Sequence, residues 1–242
     1  MNELTRGRAF FEGARDTIPM IVGAIPFGIL FGALAVTSGL SPAAALGMSL
    51  LVFAGSAQFV AAGLLGQGVG VALIVLTTFI VNLRHTFYAA TLGPHLRGLS
   101  QRWLAPLAFW LTDETFAVAI HRYQQQPGMA HRQWYYLGSA LAMYGNWQLC
   151  TLIGIIAGSQ LAGLADWGLE FAMIATFIGI IVPRIISRPM LACALAAGAV
   201  AVLARDLPYQ LGLMAGSLAG IAAGVLSEQF RVGETAAKEG AT

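Results

Sequence analysis

The sequence predicts an all-α polytopic membrane protein of about eight transmembrane helices with a cytoplasmic N-terminus, and three observations carry that prediction. Apolar residues make up 57% of the chain and charged residues 10%, whereas soluble domains carry about 25% charged residues. From Thr17 to Leu83 no Asp, Glu, Lys or Arg occurs, room for several apolar spans of about 20 residues each. With eight spans the cytoplasmic segments hold nine Lys/Arg and the other side three, Arg97, Arg102 and Arg205, the bias expected of cytoplasmic loops. A re-entrant second span would leave seven crossings and divide the same residues six and six. The net charge of +2 is small and scattered, which argues against a nucleic-acid partner. Cys150 and Cys193 lack metal-ligand or redox spacing and are expected to be inert thiols in apolar helices, with no cofactor.

In chain order, Met1–Asp16 forms a charged cytoplasmic leader, residues 17–227 a transmembrane domain, and residues 228–242 a flexible cytoplasmic tail. The leader precedes a full-length apolar run, so it reads as uncleaved rather than as a signal peptide. The first span, about Thr17–Ser38, contains Pro26 in its middle. Proline removes a backbone donor, leaving either a kink or a discontinuous helix whose new N-terminus, near Phe27 and Gly28, meets an anion. The second span, about Ala43–Leu65, carries Ser56 and Gln58 among small residues. They serve either helix packing or a substrate-contacting polar notch.

The third span, about Val71–Leu92, holds Asn82, Arg84, His85 and Tyr88. At about 100° per residue, Thr77, Arg84, Tyr88 and Thr91 form one stripe, with Thr78, Asn82 and His85 beside it. A charge at membrane depth costs several kcal/mol and faces a partner or a cavity. The fourth span, about Trp103–Ile120, supplies the partner. From the loop centre at Gly98, Arg84 lies 14 residues back and Asp113 lies 15 forward, so an antiparallel pair brings Arg84 to the depth of Asp113 or Glu114. These carboxylates point about 100° apart. One is therefore left for a proton, a substrate ammonium or His85.

His121–Gln133 reads as a solvated loop, followed by a fifth span, about Trp134–Gly158, with Tyr144, Asn146, Trp147 and Gln148. A sixth runs about Leu169–Pro183, a seventh ends near Ala204, and the last, about Tyr209–Leu226, spaces Gly212, Gly216, Gly220 and Gly224 by four. That ridge suits close helix packing, against this chain or another subunit. Val71–Arg84 and Phe171–Arg184 share four of fourteen residues at an offset of 100, in spans of opposite direction, as an inverted repeat requires.

Several motifs together resemble one family. Phe11-Glu12-Gly13, Ile25-Pro26-Phe27-Gly28, Phe53-Ala54-Gly55-Ser56-Ala57-Gln58-Phe59, Asn82-Leu83-Arg84-His85 with Tyr88, Leu111-Thr112-Asp113-Glu114 and Trp167-Gly168-Leu169 occur in order. They resemble the AzlC family, with Glu170 standing where Asp is expected. The resemblance implies the large subunit of a bacterial branched-chain amino acid exporter in the inner membrane. Its implied partner is a small AzlD-type membrane subunit, and its implied drive is the proton motive force. No motif for coupling to an ATPase accompanies it.

A zwitterionic apolar substrate needs a cation or helix N-terminus for its carboxylate, an acid for its ammonium, and apolar walls. Arg84 or the interrupted first helix (Pro26, Phe27, Gly28) suits the carboxylate, and Asp113 or Glu114 the ammonium. Asn82, His85, Tyr88, Ser56 and Gln58 complete the candidate set, with Phe27, Phe59, Tyr88 and Trp110 as walls. Two other classes are open. Ser56 and His85 suggest a hydrolase, but no Gly-x-Ser-x-Gly elbow surrounds the serine. A non-transporting scaffold subunit would use Arg84 and Asp113 only to clamp helices.

Overall fold

A computed structural model describes residues 5–160, 185–207 and 211–239, with the single positions Ile178 and Val182. Every regular element among the described residues is helical, and Ile18–Thr37, Val71–Leu96 and Arg132–Ser159 are each long and apolar enough to cross a membrane. The all-α membrane class is thus the one the sequence predicts. The chain divides into two units, Met1–Glu170 and Phe171–Thr242. The sixth span, the Trp167-Gly168-Leu169 motif and the second half of the repeat fall almost entirely outside the described residues.

The first unit is built on two helices, α2 (Ile18–Thr37) and α9 (Arg132–Gln160). Glycines let their backbones touch. A Cβ on Gly32 would collide with the Thr151 carbonyl oxygen, and one on Gly154 with the Ile29 carbonyl oxygen. The contacts advance in step along both helices: Thr17 hydrogen-bonds Ser139 at 2.6 Å, Gly28 faces Cys150, and Val36 faces Gly158. α2 and α9 are therefore parallel. Parallel spans enter from the same side, so an odd number of crossings lies between them. A re-entrant second span would leave an even number there. The parallel register therefore favours crossing by all three intervening segments.

Pro26 lies inside α2 without ending it, which corrects the expectation of a broken first helix. Pro26 is exposed and Gly28 is buried against Cys150, whose Cβ would lie 2.6 Å from an added methyl. Pro26, Phe27 and Gly28 thus form no helix terminus. The continuous packing on α9 outweighs the one hydrogen bond that proline removes.

The interruptions fall instead in the three segments between. The second segment is α3 (Pro42–Val52) and α4 (Gly55–Gly66), separated by Phe53 at φ 41°, ψ 45° and Ala54 at φ −135°, ψ 89°. The freed carbonyls of α3 are capped from α9: the Tyr144 hydroxyl donates to Leu50 at 3.0 Å and Gln148 Nε2 to Ser49 at 3.1 Å. The third segment is α5 (Val71–Asn82) and α6 (Arg84–Leu92), with Leu83 between them, its N–H turned back to Ile80 at 3.2 Å. A 3-10 turn, Gly93–Leu96, follows. The fourth is α7 (Gln101–Phe109) and α8 (Asp113–Gln125), where the Thr112 and Thr115 side chains each accept from the other's backbone N–H, a reciprocal cap. α8 runs beyond Ile120, so His121 to Gln125 belong to a helix rather than to a loop.

The leader is also structured. α1 (Arg6–Asp16) lies along α9, with Gly13 against the Tyr135 carbonyl and Gly138 against the Phe10 carbonyl. Glu12 pairs with Arg122 at 2.6 Å, Arg122 stacks 5.5 Å over the Tyr135 ring, and the Tyr135 hydroxyl donates to Asp16 at 2.7 Å. Glu12→Ala strands the Arg122 guanidinium and is expected to cost about 1–3 kcal/mol, read as a lower unfolding temperature in detergent. Arg8→Ala removes only the exposed Arg8–Glu12 pair and should leave that temperature nearly unchanged.

In the second unit, α10 (Arg188–Leu203) and α11 (Leu211–Glu239) form a closely packed pair. Gly216 and Gly220 face Ala197, Gly216 also faces Ala201, and Gly224 meets Cys193. The glycine ridge is thus occupied by a helix of the same chain. α11 continues to Glu239, through residues expected to form a flexible tail. Both cysteines are free thiols.

Candidate functional site

The three interruptions are joined by one side chain. Arg84 opens α6, Asp113 opens α8, and Ser56 is the second residue of α4. Arg84 Nη1 donates to Asp113 Oδ2 at 2.8 Å, and Nη2 donates to Ser56 Oγ at 2.5 Å. Of the two pairings that the distance to Gly98 left open, with Asp113 or with Glu114, Arg84 forms the one with Asp113. Both side chains keep partial access, with Arg84 30% and Asp113 23% exposed. A planar guanidinium suits such bridging because its donors are fixed in a fork.

Charge placement follows from the helix ends. An N-terminus carries about half a positive charge, so Asp113 and Glu114 in the first turn of α8 sit where carboxylates are favoured. Leu83 keeps helical dihedrals (φ −54°, ψ −24°), so Arg84 stands at a kink within the Val71–Leu96 span, where Asp113 holds it. Glu114 is half-buried and forms no ion pair among the described residues.

The other predicted residues divide. His85 Nδ1 bonds the backbone carbonyl of Asn82 at 3.0 Å rather than a carboxylate. Its ring meets Tyr88 edge-on at 5.8 Å, and Tyr88 stacks on Phe116 of α8 at 4.6 Å, tying α6 to α8. Asn82 Oδ1 is buried without a partner among the described residues. Gln58 is fully buried; its Oε1 accepts from Trp147 Nε1 at 3.1 Å, and its Nε2 has no partner among the described residues. Phe59 packs against Phe31 at 5.9 Å in the core. Pro26, Phe27 and Gly28 lie within unbroken α2. Ser56 accepts from Arg84 and His85 Nδ1 bonds the Asn82 carbonyl, so Ser56 and His85 are not hydrogen-bonded to each other through those atoms.

Residues of α9 are the ones left without a role by the sequence alone. The Tyr144 ring lies 4.8 Å from Phe53 and 6.0 Å from Trp110, standing between the α3–α4 and α7–α8 interruptions. Trp147 covers the start of α4: a methyl on Gly55 would fall 2.9 Å from Trp147 Cη2. The available signal was polar and aromatic residues, Tyr144 to Gln148, inside an apolar span. Among the described residues no acidic, histidine or cysteine cluster suits a metal ion.

The AzlC protein family model matches residues 19–161, a stretch that runs from the second residue of α2 through α9 and includes all three interruptions. An uncharacterized membrane protein of Archaeoglobus fulgidus is 33% identical over 223 residues, 91% of this chain and 96% of its own length. Inner membrane protein YgaZ of Escherichia coli is 32% identical over 157 residues, covering 63% of this chain and 62% of that protein. The branched-chain amino acid transport protein AzlC of Bacillus subtilis is 32% identical over 185 residues, 76% of this chain and 71% of its own. No solved structure matches significantly. The apolar helical architecture, the family match and the relatives agree: this multi-pass membrane protein belongs to the AzlC family.

Proposed function

We infer that the chain is the large subunit of a two-component exporter that carries valine, leucine, isoleucine and methionine across the inner membrane. Its partner is a small AzlD-type membrane subunit, and the proton motive force drives export. The observation that carries this reading is the convergence of three interrupted helices on Arg84, Asp113 and Ser56. Broken helices with charged termini at membrane depth are a recurrent means of binding a polar substrate while the surrounding helices move. The transport named for the Bacillus subtilis relative supports the substrate class. Asp113 and Glu114 provide acids for the substrate ammonium, with Glu114 also the exchange point for a proton. Arg84 supplies the positive side, and Tyr88 and Trp110 offer apolar surface.

The test is intracellular valine in cells fed a valine-containing dipeptide, with and without this chain and with and without the small subunit. Lower accumulation is expected only with both, and a protonophore should abolish the difference. No difference under any condition, with the protein verified in the membrane, contradicts the reading. A scaffold role makes a different prediction about the ion pair. Exchanging the charges, Arg84→Asp with Asp113→Arg, is expected to preserve membrane accumulation and eliminate export. Export retained after the exchange would favour a clamp.

A further inference from the structure

The geometry points to a carboxylate subsite at the N-terminus of α4, with Gln58 and Arg84 as its side-chain donors. This rests on the amino acid transport reading and specifies where one end of the substrate is held. Ala54 provides no side-chain cap, and the first backbone bond runs from Gln58 N–H to the Ala54 carbonyl at 2.9 Å. The N–H groups of Gly55, Ser56 and Ala57 therefore point out of the helix end without helical acceptors. That end is enclosed: Ala54 is 5% and Ala57 0% exposed.

A second, independent observation marks it as a binding place. Gln58 is 0% exposed, yet its Nε2 has no acceptor among the described residues. Its Oε1 is fixed by Trp147 Nε1, and the same indole ring covers Gly55, the first residue of α4, so one side chain links the Gln58 amide to that helix end. Arg84 Nε is likewise buried and unpartnered, while its two other nitrogens hold Asp113 and Ser56. The Ser56 hydroxyl, accepting from Arg84, retains its own proton to donate. The backbone N–H groups, the Gln58 amide nitrogen, Arg84 Nε and the Ser56 hydroxyl are thus all able to donate. A buried amide without a partner is costly, and a carboxylate accepts from several donors at once. The substrate carboxylate is received here without Arg84 releasing Asp113.

The experiment uses inverted membrane vesicles from cells co-expressing the small subunit, and reads the half-saturating concentration and maximal rate for valine. Valinamide, which keeps the ammonium and side chain but lacks the carboxylate, is the competitor. Wild-type uptake should be competed by unlabelled valine at least about tenfold better than by valinamide. Gln58→Met keeps the bulk and removes the donor. It is expected to raise the half-saturating valine concentration about tenfold or more, with a smaller effect on maximal rate and unchanged valinamide competition. Gln58→Glu, which presents a carboxylate to a carboxylate, should weaken valine further and spare valinamide. It decides the matter if Gln58→Met fails to accumulate. Absence of wild-type valine uptake would overturn the functional reading. Normal wild-type uptake with valine affinity unchanged in either variant would overturn the carboxylate subsite alone.

Discussion

Arg84→Ala is expected to reduce valine export to background, a loss of at least about 100-fold, while the protein still accumulates in the membrane. The side chain is the direct link between the starts of α4, α6 and α8, so its removal leaves Asp113 and Ser56 without their shared donor. Breaking a fully buried ion pair costs about 3–5 kcal/mol, because a charge is left unpaired. Here the cost to stability is smaller: both side chains are about a quarter exposed, and the stranded carboxylate can be reached by water. The packing of α2 on α9 does not involve Arg84, which is why accumulation survives. Arg84→Lys separates charge from geometry. Its ammonium keeps the positive charge but lacks the guanidinium fork, and export should fall to an intermediate level. Export and membrane abundance measured on the same cells check both variants.

The second large effect is structural. Gly154→Leu should eliminate folded protein, because even the first side-chain carbon would collide with the Ile29 carbonyl oxygen and crowd the Ala33 amide. Backbone cannot move aside as a flexible side chain can. α2 and α9 would have to separate along the contact that organises the first unit. Overpacking ordinarily costs about 1–3 kcal/mol, and a collision with main chain exceeds that range. Gly145 supplies the control within the same helix, since an added Cβ there meets nothing within 4 Å. Gly145→Ala should be neutral or stabilising, by up to about 1 kcal/mol from helix propensity. Detergent-solubilised yield and elution profile distinguish the two.

The parts of this architecture legible in the sequence are those imposed by the membrane on single residues. A charge among apolar helices requires a partner, and the chain distances from Gly98 were enough to narrow the partner of Arg84 to Asp113 or Glu114. The separation of Asp113 from Glu114 likewise followed from helical geometry. The location of the interruptions did not. Proline marks a lost hydrogen bond, yet Pro26 sits in an unbroken helix supported by α9. The chain does break at Phe53, a left-handed residue that is not glycine, without a local proline to announce it. Its support comes from Tyr144 and Gln148, more than 90 residues away. The spacing of Gly212, Gly216, Gly220 and Gly224 announced a packing ridge, but only the tertiary contacts identify α10 as the helix upon it. The eight-span reading already ran the first and fifth spans in one direction, but the contact of α2 with α9 was hidden for the same reason: small residues permit close approach without specifying a partner.

The most direct measurement of the proposed site is substrate protection of a thiol placed by Ser56→Cys, in a chain carrying Cys150→Ala and Cys193→Ala. Labelling with a membrane-permeant maleimide is expected to slow as valine is added, with the same concentration dependence as export, and to ignore glucose. Labelling unaffected by saturating valine, in a variant that still exports valine, would contradict the placement of the substrate at Arg84, Asp113 and Ser56.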